Sequence, residues 1–395
     1  MKKEKRKLNM QKVKICLIIA AVLLLIIVSM IIYNVNKDKN KYKDLTILLN
    51  NRFIKTMDEV LIDDKENIYF SKSDIKKIFD DTIYYNQAEK ELITTYNTHV
   101  ALLKVGEKYA LVNDQNIELK GELKEQDGKI YMPLTDLQEV YDIELYYARK
   151  SNRIIMNTTQ EKKIENTILK RTKVKDKKGL FSDTIEKLII GEKVTVLEED
   201  GKYKKCRTSL GNIGYIKSNV LSEDDIIRDP HKEPLKELKV YKGYGNISGI
   251  YEDIKVDESK LNVITPTFYY IEKNSKILDK SSVTTAAYSV YKNWADKNKL
   301  EIMPIITNDE NVSTSLLSYS QRSQVINSTI ELANKNGYKG IIIKFDKIDD
   351  PNSFYRFVLE FVPRCRMNNI KVGIYLNENV DRNKIENVVD YIVEE

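Results

Sequence analysis

The longest apolar stretch of the chain lies close to its N-terminus. Residues 15–33 carry no charge and are almost all apolar. A helix rises about 1.5 Å per residue, so this stretch nearly matches a bilayer core of about 30 Å and predicts a transmembrane helix. Residues 1–14 hold seven Lys and Arg residues against one Glu, and the positive-inside rule therefore places them in the cytoplasm. A cleaved signal peptide is the alternative, although its apolar core usually has only about 7–15 residues.

Between residues 45 and 160 one pattern of polar and apolar positions occurs twice, with a spacing of 62 residues. Each copy has an apolar pair, a Ser/Thr-Asp pair, a helical spacing of apolar residues, a tyrosine pair and a second apolar pair. The matched residues are Ile68 and Ile130, Tyr69 and Tyr131, Ser73 and Thr135, Asp74 and Asp136, Tyr84 and Tyr146, Tyr85 and Tyr147, Leu92 and Ile154, and Ile93 and Ile155. A Ser/Thr-Asp pair favours a helix start, so each copy predicts strand, helix, strand and strand. We therefore expect a duplicated α+β module whose tyrosine pairs either pack in the core or stack on sugar rings.

Residues 165–222 show short alternating strands that are separated by glycine turns. This pattern predicts a small all-β barrel. The pattern resembles a bacterial SH3-like domain. That resemblance implies cell-wall binding, with Tyr203 and Tyr215 as candidate contacts, and capping of the barrel core is the alternative role for these two tyrosines.

Apolar runs of strand length alternate with helical stretches in residues 237–395. Strands are predicted at 238–244, 261–271, 300–307, 340–346, 370–376 and 389–393, and helices at 282–297, 321–336 and 353–368. Strands that alternate with helices predict a parallel sheet with right-handed crossovers. Gly337 should end the second helix, and Pro351 should mark the entry to the third.

The predicted strand at 340–346 carries the candidate chemistry. Side chains alternate along a strand, so Lys344 and Asp346 should be neighbours on one face. Asp346 is a weak candidate for a general acid, because a neighbouring ammonium group favours the ionised carboxylate, which has no proton to donate. Asp349 and Asp350 follow as candidate auxiliary or substrate-binding groups.

Charge and composition exclude several classes of function. The net charge of the whole chain is +6, which equals that of residues 1–14, so residues 15–395 are neutral and predict no nucleic-acid partner. Cys206 and Cys365 are the only cysteines beyond the apolar stretch, and the chain has two histidines, His99 and His231. The sequence therefore predicts no disulfide framework, no metal site and no cofactor.

The run Gly-Tyr-Lys-Gly-Ile-Ile-Ile-Lys-Phe-Asp at 337–346 resembles the fourth strand of family 18 glycoside hydrolases, the chitinase-like enzymes. That family carries an Asp-Gly-x-Asp-x-Asp-x-Glu run on a (β/α)8 barrel. Lys339, Ile342 and Lys344 stand where the family has Asp, and Asp346 stands where it has the catalytic Glu. The sequence at 265–271 resembles the second strand of the family. The resemblance implies a TIM-type barrel, with Tyr269 and Tyr375 as further candidate substrate contacts.

Residues 237–395 number 159, whereas a closed barrel of this type usually needs about 250. We therefore expect a partial barrel. Residues 58–159 resemble the copper-amine-oxidase N-terminal-like domain of bacterial surface proteins, and residues 165–222 resemble a bacterial SH3-like domain. The predicted order is a basic arm at 1–14, an anchor at 15–33, and domains at 45–160, 165–222 and 237–395.

Two functions remain open from the sequence. The first is an extracellular, membrane-anchored envelope protein that binds wall polysaccharide or peptidoglycan without cleaving it. The second is a glycosidase for β-1,4 N-acetylglucosamine linkages, in which the sugar acetamide attacks and one protein acid suffices, as in the family that the chain resembles.

Overall fold

The computed structural model describes most of the chain, and the described residues fall into two compact units. They are residues 13–15, 17, 19–30, 44–179, 181–228, 236–241, 255–272, 274–280, 285–308, 316–376, 378 and 380–393. The first unit comprises Met1–Lys55 with Glu144–Asp229, and the second comprises Thr56–Ile143 with Pro230–Glu395.

Short strands outnumber helices in the part of the chain that the structure describes. The α-helices are α1 (Val13–Met30), α2 (Lys72–Ile78), α3 (Thr285–Lys297), α4 (Tyr319–Asn336) and α5 (Pro351–Met367). The strands up to residue 158 are β1 (Thr46–Leu49), β2 (Arg52–Ile54), β3 (Leu61–Ile62), β4 (Ile68–Ser71), β5 (Tyr84–Asn86), β6 (Glu91–Tyr96), β7 (His99–Lys104), β8 (Tyr109–Val112), β9 (Gln115–Glu118), β10 (Lys124–Gln126), β11 (Lys129–Pro133), β12 (Ile143–Ala148) and β13 (Arg153–Thr158). The later strands are β14 (Lys163–Thr167), β15 (Thr172–Lys175), β16 (Thr184–Leu188), β17 (Lys193–Asp200), β18 (Tyr203–Thr208), β19 (Ile213–Lys217), β20 (Asp225–Arg228), β21 (Leu238–Tyr241), β22 (Leu261–Ile264), β23 (Thr267–Ile271), β24 (Ile277–Asp279), β25 (Glu301–Ile302), β26 (Ile305–Asn308), β27 (Gly340–Lys344), β28 (Lys371–Tyr375) and β29 (Tyr391–Val393).

Helix α1 is the apolar helix near the N-terminus. Among the described residues it is the one helix that is long and apolar enough to cross a membrane, and none of it is buried. It begins two residues before the predicted span and reaches Met30, while residues 31–33 of that span lie outside the described part of the chain. A membrane anchor and a signal sequence both fit a helix of this composition and position.

The two copies of the repeat differ at the helix. In the first copy the side chain of Ser71 accepts a hydrogen bond from the backbone N–H of Asp74 and caps α2. The second copy has Pro133 at the equivalent position, which gives no side-chain cap, and a short 3₁₀ helix, Leu134–Leu137, replaces the predicted α-helix. A proline side chain has no hydrogen-bonding group, so the helix start loses its acceptor.

The strands of the two copies are also distributed differently. Strands β4 and β11 pair antiparallel in one four-stranded sheet, of order β10-β11-β4-β3. Strands β5 and β6 belong to a five-stranded antiparallel sheet, β5-β6-β7-β8-β9, whereas β12 and β13 join β1 and β2 in the first unit. The duplicated sequence therefore supplies strands to three different sheets.

The rest of the first unit is an antiparallel seven-stranded sheet of order β16-β15-β19-β18-β17-β14-β20. It closes over a core that includes Val174, Val194, Cys206 and Ile216. Gly201 forms the turn between β17 and β18 with a φ of 63°, in the left-handed region where glycine is favoured.

The C-terminal part of the second unit contains a three-stranded parallel sheet, β21-β22-β25, and a six-stranded sheet, β24-β23-β26-β27-β28-β29. In the second sheet β23 and β26–β29 pair parallel, and β24 pairs antiparallel at the edge. Helices α4 and α5 cover one face with a large core that includes Ile341, Ile343 and Phe345. Gly337 ends α4 in the left-handed conformation, with a φ of 71°, as the sequence predicted.

Prolines divide two strands that were predicted to be continuous. The run at 261–271 forms β22 and β23, which are separated by Thr265 and Pro266 and lie in different sheets. The run at 300–307 is divided in the same way by Pro304 into β25 and β26. A proline has no N–H to give to a ladder, so each run can leave one sheet and enter the other at that point.

Candidate functional site

The carboxyl ends of β27 and β28 bring together Lys344 and Tyr375, two of the residues that the sequence singled out. The two strands pair parallel and in register, from Gly340 opposite Lys371 to Ile343 opposite Ile374, so their ends meet at one edge. Lys344 is the last residue of β27, and its Nζ lies 5.1 Å from the centroid of the Tyr375 ring, at the end of β28. We call Lys344, Tyr375, Thr265 and Asp346 the strand-end site.

A small apolar cluster supports this site from below. Ile342, two residues before Lys344 on the same face of β27, packs with Val263, Met303 and Tyr391. At Gly340 a Cβ atom would lie 2.6 Å from Cε of Met303, so the methionine occupies the space that a larger residue would fill. The hydroxyl group of Tyr375 lies 3.3 Å from Oγ1 of Thr265, which follows β22. The base of the strand-end site is therefore packed with apolar side chains. Its outer edge carries the ammonium group of Lys344, the ring of Tyr375 and hydroxyl groups.

Asp346 lies beyond the strand. Strand β27 ends two residues earlier than the sequence predicted, and Asp346 is exposed. Its backbone N–H donates to Oδ1 of buried Asn308 over 2.9 Å, and Nδ2 of Asn308 donates to the carbonyl oxygen of Lys347 over 2.7 Å. Asn308 thus fixes the turn after β27 and holds the backbone of Asp346 at the surface.

The two following aspartates have different environments. Asp350 is the N-cap of α5, where its carboxylate accepts hydrogen bonds from the backbone N–H of Asn352, over 3.0 Å, and from Oγ of Ser353, over 2.6 Å. The hydrogen bond from Ser353 lowers the pKa of Asp350. Asp349 is exposed. Asp350 therefore serves the start of the helix, which begins at Pro351, two residues before the predicted start.

Tyr269, a candidate substrate contact, is fully buried on the core face of β23. Its hydroxyl group lies 3.1 Å from that of Tyr338. The side chain of Tyr269 does not reach the surface, so Tyr269 is placed as a core residue and not as a surface contact.

Tyr203 and Tyr215 lie on one face of the antiparallel pair β18 and β19. Tyr203 is opposite Lys217, and Tyr215 is opposite Lys205. Tyr203 lines a cavity of about 390 Å³ together with Lys202, Lys217 and the turn that follows β19. Tyr215 is not among the residues that line this cavity, and Nζ of Lys178 lies 5.7 Å from the centre of its ring. The arrangement offers an aromatic ring beside ammonium groups.

Sequence reasoning missed a buried charge cluster in the second unit. Arg322 of α4 donates from Nε and Nη2 to the two carboxylate oxygens of Glu360 in α5, over 2.9 and 2.7 Å. Its Nη1 donates to the carbonyl oxygens of Leu316 and Leu317, both over 3.0 Å, and Nη2 also donates to the hydroxyl group of Tyr84 in β5, over 2.8 Å. All five N–H groups of the guanidinium are thus used.

We call Arg322, Glu360 and Tyr84 the Arg322 cluster. Although burial opposes its charge, the hydrogen bonds to Glu360 raise the pKa of Arg322. Burial, with the nearby Glu360 carboxylate, raises the pKa of Tyr84, so its hydroxyl group donates to Glu360 Oε1 over 3.0 Å. The sequence does contain one sign of this cluster, a charged residue on the apolar face of a helix. Arg322 lies on the same buried face of α4 as Val325 and Ile326.

A second polar cluster lies between the β8–β9 turn and the same two helices. The carboxylate of Asp114 accepts hydrogen bonds from Oγ of Ser323, over 2.8 and 2.7 Å, from Nδ2 of Asn327, over 2.7 Å, and from Arg364. Burial acts to raise the pKa of Asp114, but the hydrogen bonds from Ser323 and Asn327 and the charge of Arg364 hold it below the usual value. Residues 56–143 are therefore joined to α4 and α5 by directed polar contacts.

The described residues contain no group of three or more His, Cys, Asp and Glu side chains that could hold a metal ion. His99 is the one histidine in residues 48–156. The described side chains of this region do not fit a copper site.

Solved structures that resemble the chain include chitinases and sporulation enzymes. A class V chitinase from Pseudomonas fluorescens Pf-5 has 16% identity and a TM-score of 0.35, over 40% of this chain and 53% of that one. The spore cortex-lytic enzyme SleL from Bacillus cereus has 15% identity and a TM-score of 0.31, over 54% and 57%. A putative sporulation-specific glycosylase, ydhD, from Bacillus subtilis has 19% identity and a TM-score of 0.29, over 33% and 48%. The chain thus spans little more than half the length of the first two.

No curated protein matches the chain. A family model confirms the expected resemblance to the copper-amine-oxidase N-terminal-like domain. The match covers only part of the chain. Residues 48–156 match the copper amine oxidase N-terminal domain.

Proposed function

We propose that this chain is an extracellular, membrane-anchored envelope protein that binds a β-1,4-linked N-acetylglucosamine polymer of the cell wall without cleaving it. The observation that carries the proposal is the strand-end site. There an ammonium group, Lys344, and an aromatic ring, Tyr375, lie together at the end of the parallel strands, and the candidate acid, Asp346, is exposed beyond the strand.

The geometry supports binding more than catalysis. A general acid must come within about 2.6–3.2 Å of the leaving oxygen, in a setting that lets it keep its proton. Asp346 has a side chain one methylene shorter than Glu and an exposed position, and about 1 Å of misplacement can cost roughly a hundredfold in rate. Lys344 and Tyr375 instead provide donors for sugar hydroxyl and acetamide groups and a ring on which a sugar can stack.

Two further parts contribute to the proposed function. Helix α1 anchors the chain with residues 1–14 in the cytoplasm, and the module at 165–222 contacts wall material through Tyr203 and Tyr215. The cavity of about 390 Å³ beside Tyr203, with its two lysines, supports a ligand that carries carboxylate groups. These assignments extend the sequence predictions of a single-pass anchor and an SH3-like domain.

A retention and cleavage assay tests the proposal. The full-length chain, in detergent micelles, is incubated with insoluble chitin and with peptidoglycan, and both the bound protein and new reducing ends are measured. We expect retention without new reducing ends. Lys344→Met and Tyr375→Ala should each lower retention on chitin, because each removes one side of the strand-end site.

Lys339→Met is the matched control, because Lys339 is an exposed lysine just before the other end of β27. It should leave retention unchanged. Cleavage by the wild-type protein that disappears in Asp346→Asn would overturn the binding proposal and favour the glycosidase. Retention that is equal in all variants would show that the strand-end site takes no part.

A further inference from the structure

A cavity of about 560 Å³ lies within the second unit, between the β5–β8 sheet and the beginning of α4. Its volume falls in the range of about 300–1,000 Å³ that is usual for small-molecule sites. The walls come from segments that are far apart in sequence, since Tyr84 and Tyr109 lie on one side and Ser318 and Tyr319 on the other. The sequence pattern did not predict a cavity in this region.

The sheet presents two parallel rows of side chains to this cavity. The first row crosses β5 to β8 and consists of Tyr84, Ile93, Leu102 and Leu111. This apolar row packs against Tyr319 at the start of α4 and closes the bottom of the cavity. The second row is displaced by two residues from the first on each strand and consists of Asn86, Glu91, Lys104 and Tyr109. This polar row remains open to a ligand.

The positive and negative groups in and beside the cavity are equal in number. Lys104 and Glu91 of the polar row form an ion pair over 3.0 Å. The charge of Arg322 is matched by Glu360, and its donors are all used. The guanidinium of Arg356 lies 4.6 Å from the centre of the Tyr84 ring, and Glu89 adds a carboxylate to the wall. The cavity thus offers donors and acceptors with no excess of either sign.

Tyr109 adds an accessible aromatic surface. Its side chain is 41% exposed, although it lies on the same sheet face as the buried apolar row. An aromatic ring beside mixed donors and acceptors suits a ligand whose hydroxyl groups each donate and accept while its C–H groups pack on the ring. A strongly charged ligand would instead need an excess of one sign around it.

We propose that this cavity is a second saccharide site, which binds a neutral oligosaccharide on the polar row with one sugar ring against Tyr109. The proposal takes its ligand class from the proposed function, but it uses a separate set of residues. The glycan would then contact the chain both at the strand-end site and at the face of the β5–β8 sheet.

Titration calorimetry with chitotetraose tests the second site. Two variants of the whole chain are used, Tyr375→Ala and Lys344→Met. Each substitution disrupts the strand-end site and leaves the cavity intact. We expect both to retain one binding event for chitotetraose. Adding Tyr109→Ala should weaken that event at least tenfold, whereas Tyr109→Phe, which keeps the ring, should stay within about twofold.

Ile117→Ala is the matched control. Ile117 is 38% exposed and lies on the neighbouring strand β9, opposite Ala110 and hence on the other face of the sheet. It should not change the affinity. Loss of all binding in both strand-end variants would overturn the second site and leave the proposed function in place. Residual binding that Tyr109→Ala does not weaken, or tighter binding of a tetra-galacturonate, would also overturn it.

Discussion

The Arg322 cluster and the strand-end site are both built from charged and aromatic residues, yet they use these residues in opposite ways. In the Arg322 cluster the guanidinium and the carboxylate of Glu360 are buried, and all five N–H groups have acceptors. In the strand-end site Lys344 is half-buried and Asp346 is exposed. Polar groups that are saturated and buried hold the structure together, whereas polar groups at the end of the strands lie within reach of solvent.

The largest effect should follow from breaking the Arg322 cluster. Arg322→Met leaves the carboxylate of Glu360 buried without its partner, and the loss of one member of a buried ion pair usually costs about 3–5 kcal/mol. We expect the urea midpoint of unfolding of the second unit to fall accordingly, as followed by circular dichroism.

Arg382→Met provides the control for this variant. Arg382 forms an exposed i,i+4 pair with Glu386, over 3.1 Å, and such pairs contribute about 0.3–0.5 kcal/mol. Equal losses in the two variants would contradict the structural role of the Arg322 cluster.

A smaller effect should appear when Asp114 is protonated. The folded pKa of Asp114 is lower than the unfolded value of 3.8, so the folded state binds fewer protons near that pH. The stability from this group is complete above the unfolded pKa and is lost as the pH falls through the folded pKa. The unfolding free energy should therefore decline as the pH is lowered below about 4, and Asp114→Asn should flatten that decline.

Other carboxylates also titrate in this range, so the measurement is the difference between Asp114→Asn and the wild-type protein. Glu378→Gln, at an exposed site, serves as the control and should follow the wild-type curve. An identical slope for Asp114→Asn would argue against the contact with α4.

The smallest effect on stability belongs to the strand-end site. Asp346→Asn changes an exposed side chain and should alter the unfolding free energy by no more than about 0.5 kcal/mol. Thermal unfolding followed by calorimetry checks this value. A loss comparable to that of Arg322→Met would mean that the strand-end site is a structural element and would remove the contrast between the two regions.

The elements with a clear hydrophobic period were predictable from the sequence. The ends of α4 and α5 lie within about two residues of the prediction, because a capping residue or proline marks each start and Gly337 ends α4. The alternation along β27 also held, with Ile341 and Ile343 in the core and Ile342 on the other face. The missing cap at Pro133 was visible in the sequence too, and it explains the 3₁₀ helix of the second repeat.

The spatial partners were not predictable. Periodicity assigns a residue to a face, but it does not say which sheet the strand joins, so the division at Pro266 and Pro304 was missed. Arg322 and Glu360 lie on two helices, and Tyr84 lies on a strand in the first repeat. No local pattern links these three residues, because the contact depends on how the segments pack.

The hydrogen bond between Tyr84 and Glu360 also has a consequence for the time course of synthesis. The two residues are 276 positions apart in the chain. At about 5–20 residues per second a ribosome needs roughly 14–55 s to produce the second after the first. For most of that interval neither α4 nor α5 has been synthesised, so these helices do not yet cover the face of the β5–β8 sheet. Slower translation should therefore lengthen the period in which this nascent surface is open to chaperones or to pairing with another chain.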